Sequence, residues 1–468
     1  MKVLLVAPYT NHKAVPLAHW TPLNVTFIAA LLRRNGHDVS IFDRHGMIAR
    51  LGLDRNLIDR SMIDHVRRTR PDMVGFNTVS PLIYDTIESV ALIRSVYSGP
   101  MVAGGHHATA LPDLTLRRIP ELCAVVEGEG EIPMVELVSG AAPETIPGVW
   151  WRKKEDQFIH TPPHRNPNLD DLPFPAFDLL DMKYYTRPSI STIRGFYLST
   201  VSILSSRGCE RRCDFCSESS TYGRGVRFHS VDYVMEWIRH ILKNYGVEAL
   251  YFMDNDFLID ERRAGEICER MLSEGMHKRI KWAIQARANR IQPAILRQLK
   301  RAGCILIEIG IESGLQDQLN SVRKGTTVQV NERAVKLIQR HRMHPHLYMI
   351  TGFEGETLSD LEKKLAWIKH LNPASFSWFP LQLYPGTALY EKRGNRFFEE
   401  NEWTRERIQA YYKNTCLASF SPRERDEWMK IHFQPFFRWR HHVNLLLRNR
   451  PLKLARFIYQ ARTKSGIL

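Results

Sequence analysis

Three of the seven cysteines lie within eight residues of one another. They are Cys209, Cys213 and Cys216, spaced C-x3-C-x2-C directly after a predicted buried strand. Thiolates are the ligands of soft metals and of iron–sulfur clusters. Three thiolates on one loop can hold three irons of a cubane and leave its last iron open to bind and reduce a ligand. This loop is therefore the strongest candidate for chemistry in the sequence.

A structural zinc site is the alternative for this loop. It needs a fourth ligand, and zinc spacings usually come as two C-x2–4-C or C/H pairs. No second pair exists, because the remaining cysteines are isolated: Cys123, Cys268, Cys304 and Cys416. We interpret those four as ordinary buried residues.

Five further motifs follow the cysteine loop, each at the end of a predicted strand. In chain order they are Phe252-Met253-Asp254-Asn255-Asp256, Gln285-Ala286-Arg287, Ile309-Gly310-Ile311-Glu312-Ser313-Gly314, Gly352-Phe353-Glu354-Gly355-Glu356-Thr357 and Tyr384-Pro385-Gly386-Thr387. With Arg207-Gly208 before the first cysteine and Phe215 before the last, this series resembles the radical S-adenosylmethionine enzymes. Each later motif is weak alone, but their order and placement make the resemblance specific.

The resemblance implies a 4Fe-4S cluster on the three cysteines and reductive cleavage of S-adenosylmethionine to a 5′-deoxyadenosyl radical. It also implies an external electron donor of flavodoxin or ferredoxin type. The S-adenosylmethionine site would consist of Phe215, Asp254, Arg287, Glu312, Ser313 and Gly355. Glu312 is expected to accept the ribose hydroxyls, with a solvated strand-end carboxylate as the alternative. Glu354 and Glu210 stand where the family usually has Pro, which puts the local turn at Glu354 in question but touches no cluster ligand.

Residues 1–140 alternate strand and helix signals. The predicted strands are Lys2–Pro8, Val39–Phe42, Met73–Asn77, Met101–Ala103 and Ala124–Val126. Such alternation predicts a Rossmann-like parallel sheet covered on both faces, with ligands beyond the carboxyl ends of the strands. The glycine and polar loops of this region all follow those ends.

Several elements here resemble the cobalamin-binding domains that are fused to radical S-adenosylmethionine domains. They are the helix from Pro22-Leu23 to Leu31-Leu32, the Gly104-Gly105-His106-His107-Ala108-Thr109 loop, Val125-Val126-Glu127-Gly128-Glu129-Gly130-Glu131 and Leu172-Pro173-Phe174-Pro175. A glycine pair lets the backbone approach a bulky ligand, although a plain glycine turn is the alternative. The predicted cobalamin residues are Asn77, Thr78, Ser80, Gly104, Gly105, His106, Thr109 and Glu129.

The first-strand loop reads Tyr9-Thr10-Asn11-His12-Lys13 and lacks the Asp-x-His-x-x-Gly motif by which cobalamin mutases place a histidine on cobalt. We therefore predict no histidine ligand to cobalt. His106 and His107 are expected to pack or hydrogen-bond instead. Asn24 stands where the family has Gly. It could approach the lower face of cobalt, or it could be only a solvated polar residue at the start of the helix.

The rest of the chain divides into three parts. Residues 141–196 form a Pro-rich connector, and residues 197–392 resume the alternation with six predicted strands. Six βα repeats fit an open, partial (β/α)6 barrel of TIM type. Residues 393–468 lack strand signals and predict a helical C-terminal region. The expected fold class is α/β throughout the first 392 residues.

Composition limits the remaining options. The chain has 468 residues, enough for two or three domains, with 44% hydrophobic residues and 25% charged. Seven cysteines are too few for a disulfide scaffold, and no apolar run reaches the roughly 18 residues that a membrane-spanning helix needs. The start resembles a buried strand rather than a signal peptide, so we expect a cytoplasmic protein.

The formal net charge is +15, and its position matters more than its size. Residues 428–468 hold nine Lys and Arg and no acidic residue, interleaved with apolar residues. This pattern is typical of a basic amphipathic helix on an anionic membrane surface. A helix docked on the barrel with its basic face in solvent is slightly favoured over this interpretation, and RNA binding is less favoured. No nucleic-acid partner is expected.

The leading functional hypothesis is a cobalamin-dependent radical S-adenosylmethionine enzyme that methylates an unactivated carbon of a small molecule or lipid. By resemblance, methylcobalamin would supply the methyl group, and S-adenosylhomocysteine would appear beside 5′-deoxyadenosine. The alternative is radical oxidation, cyclisation or ring rearrangement with the same cofactors and no methyl transfer. A cobalamin sensor with a structural cluster is a third hypothesis, disfavoured by the intact Glu312 and Gly355-Glu356-Thr357 motifs.

Overall fold

The fold was analysed in a computed structural model of the chain. The structure describes residues 1–9, 20–154, 157–163, 165–223, 225–393, 396–437, 446, 448–449 and 451. Of these residues, no helix is long and apolar enough to cross a membrane.

The N-terminal region is built on a seven-stranded sheet. Its strands are β1 (Lys2–Ala7), β2 (Asp38–Asp43), β3 (Met73–Asn77), β4 (Met101–Gly104), β5 (Ala124–Val126), β6 (Val149–Lys154) and β7 (Gln157–His160). The order is β2-β1-β3-β4-β5-β6-β7, and β1 to β5 are parallel. This confirms the predicted Rossmann-like sheet, whose order reverses between β1 and β3.

The last two strands of this sheet form a hairpin that the sequence places in the connector. Strand β6 pairs antiparallel with β5, and β7 pairs antiparallel with β6. The sheet therefore continues to His160, past residue 140, where the first domain was predicted to end. The periodicity changes there because an antiparallel edge hairpin is exposed on one face, whereas the parallel strands are buried on both.

The second region contains a parallel six-stranded sheet. Its strands are β8 (Thr200–Ile203), β11 (Ala249–Phe252), β12 (Lys281–Ala286), β13 (Cys304–Glu312), β14 (His344–Thr351) and β15 (Ser375–Pro380), in the order β15-β14-β13-β12-β11-β8. A separate two-stranded sheet pairs β9 (Ser206–Cys209) with β10 (Gly225–Phe228). The predicted partial barrel is confirmed: each neighbour in the six-stranded sheet is parallel, and the sheet stays open.

Helices cover both sheets. They are α1 (Leu23–Arg34), α2 (Ile48–Leu51), α3 (Arg55–Thr69), α4 (Ile83–Arg94), α5 (His106–Ala110), α6 (Pro112–Arg118), α7 (Glu131–Val138), α8 (Met182–Tyr185), α9 (Glu218–Thr221), α10 (Val231–Asn244), α11 (Glu261–Ser273), α12 (Met276–Arg279), α13 (Pro293–Arg301), α14 (Gln316–Ser321), α15 (Val328–Arg340), α16 (Leu358–Leu371), α17 (Ala388–Lys392), α18 (Phe397–Glu400), α19 (Arg405–Asn414) and α20 (Pro422–Trp428).

The barrel helices form because their apolar residues recur at helical spacing behind a capping residue. In α10, Ser230 accepts a hydrogen bond from the Tyr233 amide, and Val234, Trp237 and Ile241 are buried along one face. Such a cap contributes about 1 kcal/mol, and most of the remaining stability comes from the buried face. Helix and strand ends are therefore fixed locally, which fixes where the loops at the carboxyl edge begin.

The described part of the basic C-terminal region packs against the barrel. Phe433 lies 5.3 Å from Phe376 between ring centroids, and Trp428 lies 6.0 Å from Trp378. Arg448 donates to the Arg194 carbonyl oxygen at 3.1 Å. These contacts correspond to the docked-helix alternative. Residues 438–445, 447, 450 and 452–468 lie outside the described residues, so the membrane contact stays a prediction.

Candidate functional site

The cysteine loop begins where β9 ends. Cys209 is the last residue of β9, and Cys209, Cys213 and Cys216 are all half-buried. Burial raises the pKa of the Cys216 thiol to about 12 and also raises that of Cys209. These thiols are protonated without a metal, so metal binding there must release protons. Three soft donors on one loop fit an iron–sulfur cluster.

The zinc alternative finds no support in the geometry. Among the described residues, no three His, Cys, Asp or Glu side chains converge on a point where one metal ion could bind. Structural zinc requires four ligands converging on a single ion. The loop supplies three cysteines, one fewer than the four ligands of structural zinc.

A buried carboxylate inside the cysteine loop anchors it. Asp214 accepts a hydrogen bond from Lys392 Nζ at 2.7 Å and another from Arg323 Nε. Its backbone amide donates to the Val322 carbonyl oxygen at 3.0 Å, and its own carbonyl accepts from the Leu389 amide at 2.8 Å. Two segments distant in sequence thus hold the loop in place, and the cysteine spacing gave no sign of either.

Glu312 ends β13 in a strained conformation. Its φ is 57°, and the pairing of β13 with β14 shifts register beside it. A non-glycine residue in this region costs about 1 kcal/mol or more, and such strain concentrates at functional sites. Lys324 Nζ lies 2.6 Å from Glu312 Oε1 and 5.9 Å from the centroid of the Phe215 ring. Lys324 was not singled out from the sequence, because it belongs to no recognised motif.

Glu312 and Phe215 line a cavity of about 510 Å³ at the carboxyl ends of β13, β14 and β15. We call it the barrel cavity. Its wall also includes Tyr348 of β14, Tyr412 of α19 and Pro81 from the N-terminal region. The size is that of a small-molecule site. The structure thus brings two of the six predicted S-adenosylmethionine residues into one cavity.

The other four predicted S-adenosylmethionine residues lie outside this lining and make hydrogen bonds within the protein. Asp254 accepts from Ser205 Oγ at 2.8 Å, and burial raises the pKa of Asp254. Arg287 Nη2 donates to the Lys324 carbonyl oxygen at 2.5 Å. Ser313 Oγ donates to Gln318 Oε1 at 2.6 Å, and the Gly355 amide donates to the Leu417 carbonyl oxygen at 3.1 Å. These contacts position the loops around the cavity.

A buried ion pair that the sequence did not reveal supports the same loops. Lys364 Nζ of α16 contacts Glu356 Oε1 and donates to the Ile350 carbonyl oxygen at 2.7 Å. Glu356 in turn accepts from the Gly352 amide at 2.5 Å. Burial lowers the pKa of Lys364. In the sequence Glu356 is only one member of a motif, and its partner Lys364 comes from the following helix.

A second cavity, of about 340 Å³, lies at the carboxyl edge of the N-terminal sheet. We call it the sheet cavity. Its floor is apolar and reaches between the sheet and helices α1 and α7, to Leu5, Val102 and Met134. Its opposite wall comes from the second region, through Ser206 and Asn255. The cavity therefore lies between the two regions, at the carboxyl edge of the N-terminal sheet, where strand order reverses between β1 and β3 and ligands are expected.

Five of the eight predicted cobalamin residues line the sheet cavity, namely Asn77, Gly104, Gly105, His106 and Glu129. Gly105 has φ +100°, and a Cβ there would lie 2.5 Å from Asn77 Oδ1. Only glycine fits this position, and without a side chain it lets a ligand approach the backbone at the mouth of the cavity. The apolar floor and the glycines Gly104 and Gly105 at its mouth, which we call the glycine rim, let a ligand lie close against the backbone.

The remaining three predicted cobalamin residues bind other parts of the protein. Thr78 Oγ1 donates to the Gly104 carbonyl oxygen at 2.8 Å, and Thr109 Oγ1 accepts from the Gly128 amide at 3.0 Å. Ser80 Oγ lies 3.1 Å from His107 Nδ1. These hydroxyls hold the loops that shape the cavity rather than face into it.

The carboxylate of Glu129 is held by arginines. Arg227 Nη2 lies 2.7 Å from Glu129 Oε1, and Arg207 bridges Glu129 at 3.2 Å and Glu131 at 2.6 Å. Burial alone would raise the pKa of Glu129, but the hydrogen bond from Arg227 and the charge of Arg207 keep it below its ordinary value. Because Arg207 precedes Gly208-Cys209, this buried network joins the sheet cavity to the cysteine loop.

His106 and Asn24 both line the sheet cavity with partners of their own. His106 Nδ1 lies 2.7 Å from Thr221 Oγ1, and Asn24 Nδ2 donates to Asn77 Oδ1 at 2.7 Å. His107 is fully buried away from the cavity, and burial lowers its pKa to about 3. That no histidine binds cobalt stays a prediction.

Two family models match the chain in separate stretches. The "B12 binding domain" model matches residues 13–138, and the "Radical SAM superfamily" model matches residues 203–368. Each stretch contains one of the two cavity edges described above. The chain belongs to the cobalamin-dependent radical S-adenosylmethionine enzymes, and its cofactors are a 4Fe-4S cluster, S-adenosylmethionine and cobalamin.

Particular relatives support this placement. An uncharacterised methyltransferase from Pyrococcus horikoshii is 31% identical over 84% of this chain and 83% of its own. The anaerobic magnesium-protoporphyrin IX monomethyl ester cyclase of Rubrivivax gelatinosus is 25% identical over 85% of this chain and 70% of its own. The methyltransferase TsrM from Kitasatospora setae, solved with cobalamin and a [4Fe-4S] cluster, has the same fold: TM-score 0.70, 16% identity, 96% of this chain and 91% of that one.

Proposed function

We propose that this enzyme methylates an unactivated carbon of a small molecule or lipid. The observation that carries the proposal is the sheet cavity, which is walled on one side by the glycine rim of the N-terminal sheet and on the other by Ser206 and Asn255 beside the cysteine loop. A cofactor on that rim would face the barrel, where S-adenosylmethionine is cleaved. The similarity to the Pyrococcus horikoshii methyltransferase supports the same reaction class.

In this proposal each edge has a separate task. Cys209, Cys213 and Cys216 hold the cluster, while Glu312 and Phe215 orient S-adenosylmethionine in the barrel cavity. The rim around Gly105 holds cobalamin. When bound, the cluster supplies the electron that cleaves S-adenosylmethionine, and cobalamin supplies the methyl group. The protein contributes orientation and the exclusion of water.

The tasks of the surrounding residues follow from their contacts. Lys324 fixes the Glu312 carboxylate at 2.6 Å, which sets where it can accept hydrogen bonds from a ribose. Asp214 fixes the cysteine loop to Arg323 and to Lys392 of α17, both in the barrel region. Arg207 binds Glu129 and Glu131, which fixes the position of the cysteine loop relative to the glycine rim around Gly105.

Oxidation, cyclisation or rearrangement without methyl transfer is the second candidate. Similarity to the Rubrivivax gelatinosus cyclase favours it, because that relative matches 85% of this chain. Both candidates use the same cofactors and differ only in the fate of the substrate radical.

The products of S-adenosylmethionine separate the two candidates. After anaerobic reconstitution with iron, sulfide and cobalamin, and reduction by dithionite, methyl transfer yields S-adenosylhomocysteine together with 5′-deoxyadenosine. The second candidate yields 5′-deoxyadenosine alone. Metabolite profiling of a deletion strain, for a compound that has lost a methyl group or a ring, supplies the substrate. A reconstituted protein that never cleaves S-adenosylmethionine with that substrate would show that both candidates are wrong.

A further inference from the structure

We propose that exposed cations around the cysteine loop form the docking surface for a small, acidic one-electron carrier protein. This inference rests on the proposed function in one respect, since it assumes that the loop holds a cluster needing an electron. The cations are Arg211, Arg212, Arg290, Arg323 and Lys392, and we call them the basic collar.

The side chains of the collar reach the surface. Arg212 is exposed, and the side chains of Arg323 and Lys392 are 54% and 58% exposed. Arg211 and Arg290 are partly exposed. Exposed charges of one sign steer a partner of the opposite sign and raise its association rate by roughly 10 to 1,000-fold.

Every collar residue either belongs to the cysteine loop or contacts one of its carboxylates. Arg211 and Arg212 belong to the loop, and the Arg211 amide donates to Cys209 Sγ at 3.5 Å. Arg290 pairs with Glu210 of the loop at 2.6 Å. Arg323 and Lys392 both bind Asp214, the buried carboxylate between Cys213 and Phe215. The collar therefore surrounds the one loop through which an electron would enter.

The charge balance leaves the collar positive. Five cations face three acids, Glu210, Asp214 and Asp256, and the side chains of Asp214 and Asp256 are 0% and 3% exposed. A partner approaching this face meets mainly guanidinium and ammonium groups. Electron-transfer complexes are weak, with interfaces below about 1,200 Å², so the few exposed cations of the basic collar suffice for an encounter. Nucleic acid shares the negative charge but has no need to approach the partly exposed thiols.

The transfer itself is balanced. A reduced flavin or iron–sulfur carrier loses one electron, and the cluster gains it. No proton or atom is exchanged, so the collar has only to hold the two redox centres close. Its effect must appear in binding and in the rate of reduction by a protein donor, and be absent with a small reductant.

The test is the double variant Arg211→Glu/Arg212→Glu in the anaerobically reconstituted holoenzyme. The control is Lys243→Glu, which reverses one charge where the double variant reverses two, at the exposed C-terminal end of α10 and ahead of β11, away from the loop. Binding of oxidised flavodoxin is measured by calorimetry at low salt and near 1 M salt. Release of 5′-deoxyadenosine is measured with flavodoxin, its reductase and NADPH, and separately with dithionite.

The expected result is binding about tenfold weaker, and a donor-driven rate about tenfold lower, in the double variant at low salt only. High salt should remove the difference, because the Debye length then falls to about 3 Å. The flavodoxin-driven rate is compared with the dithionite-driven rate of the same variant at equal iron content, which separates a change in docking from a change in the cluster itself. Lys243→Glu should behave as wild type throughout.

Two results would overturn the docking surface: equal flavodoxin binding in wild type and double variant, or an equal loss in Lys243→Glu. Tighter binding of a mixed-sequence DNA oligonucleotide than of flavodoxin, lost in the double variant, would assign the collar to nucleic acid instead. Failure of dithionite to drive cleavage in the wild type would contradict the proposed function, while the binding comparison would still decide the docking surface.

Discussion

The two sheet edges that face each other across the sheet cavity provide for their ligands in opposite ways. The barrel edge presents side chains with chemistry of their own, namely three thiols and the carboxylate of Glu312. The N-terminal edge presents backbone and open space, and a Cβ at Gly105 would collide with Asn77. The barrel edge acts through its thiols and carboxylate, whereas the N-terminal edge depends on the absence of a side chain at Gly105.

This difference decides which substitutions should matter. At the barrel edge, removing a side chain should abolish function, whereas at the N-terminal edge adding one should. Polar residues near the glycine rim should matter through loop geometry, because their hydroxyls already bind the protein.

The largest effect is expected at the cysteine loop. Cys213→Ala should lose the cluster completely, with iron falling from about four per chain to near zero, because two thiolates cannot hold a cubane. Iron analysis and visible absorption after anaerobic reconstitution measure this. The control is Cys123→Ala, a half-buried cysteine directly before β5. A folded Cys213→Ala protein with a full cluster would show that the loop is not the ligand set.

The next largest effect is expected at Arg207, which connects the two edges. Arg207→Met leaves buried Glu131 without its cation, and breaking a buried ion pair costs about 3–5 kcal/mol. The urea midpoint should fall accordingly. Arg239→Met removes a surface pair with Glu274 and should cost less than about 1 kcal/mol. Similar midpoints for the two variants would mean that the domains are held together elsewhere, and that Arg207 does not register the loop.

At the glycine rim, Gly105→Val should weaken aquacobalamin binding about 100-fold, which corresponds to about 2.7 kcal/mol. The new side chain would meet Asn77 Oδ1 and the Thr78 carbonyl oxygen, and φ is +100°. Gly140→Val is the matched control: φ is +82°, but the space around it is open. Equilibrium binding followed by corrinoid absorbance gives both affinities. Equal affinities would place cobalamin away from the rim.

The same contrast explains how far the sequence could predict the molecule. Cys209, Cys213 and Cys216 were recognisable because their type and spacing carry the chemistry directly. The strands around them were equally clear: β3 and β5 have the predicted bounds, and the six barrel strands appear in the predicted order. Local apolar patterning dictates both.

What the sequence could not supply is which polar group faces a cavity. Thr78 is predicted beside cobalamin from its residue type and Thr109 from the resemblance of its loop, and the structure shows their hydroxyls bonded within the protein. Lys324 and Lys364 belong to no motif, and their carboxylate partners are 12 and 8 residues away. Such pairs depend on how loops fold over one another, which periodicity does not encode.

The smallest effect concerns His107, the buried neighbour of the rim histidine. Burial lowers the pKa of His107 from its ordinary value near 6.5 to about 3. Between pH 6.5 and about 3, His107 is therefore protonated in the unfolded chain and neutral in the folded chain. Stability should therefore fall between pH 6.5 and about 3, by about 2 kcal/mol at pH 5 from this group. His107→Gln should remove that part of the pH dependence in urea unfolding, while the bound corrinoid keeps its absorption band. A changed band would instead assign His107 to the cofactor, and the N-terminal edge would then also work through a side chain.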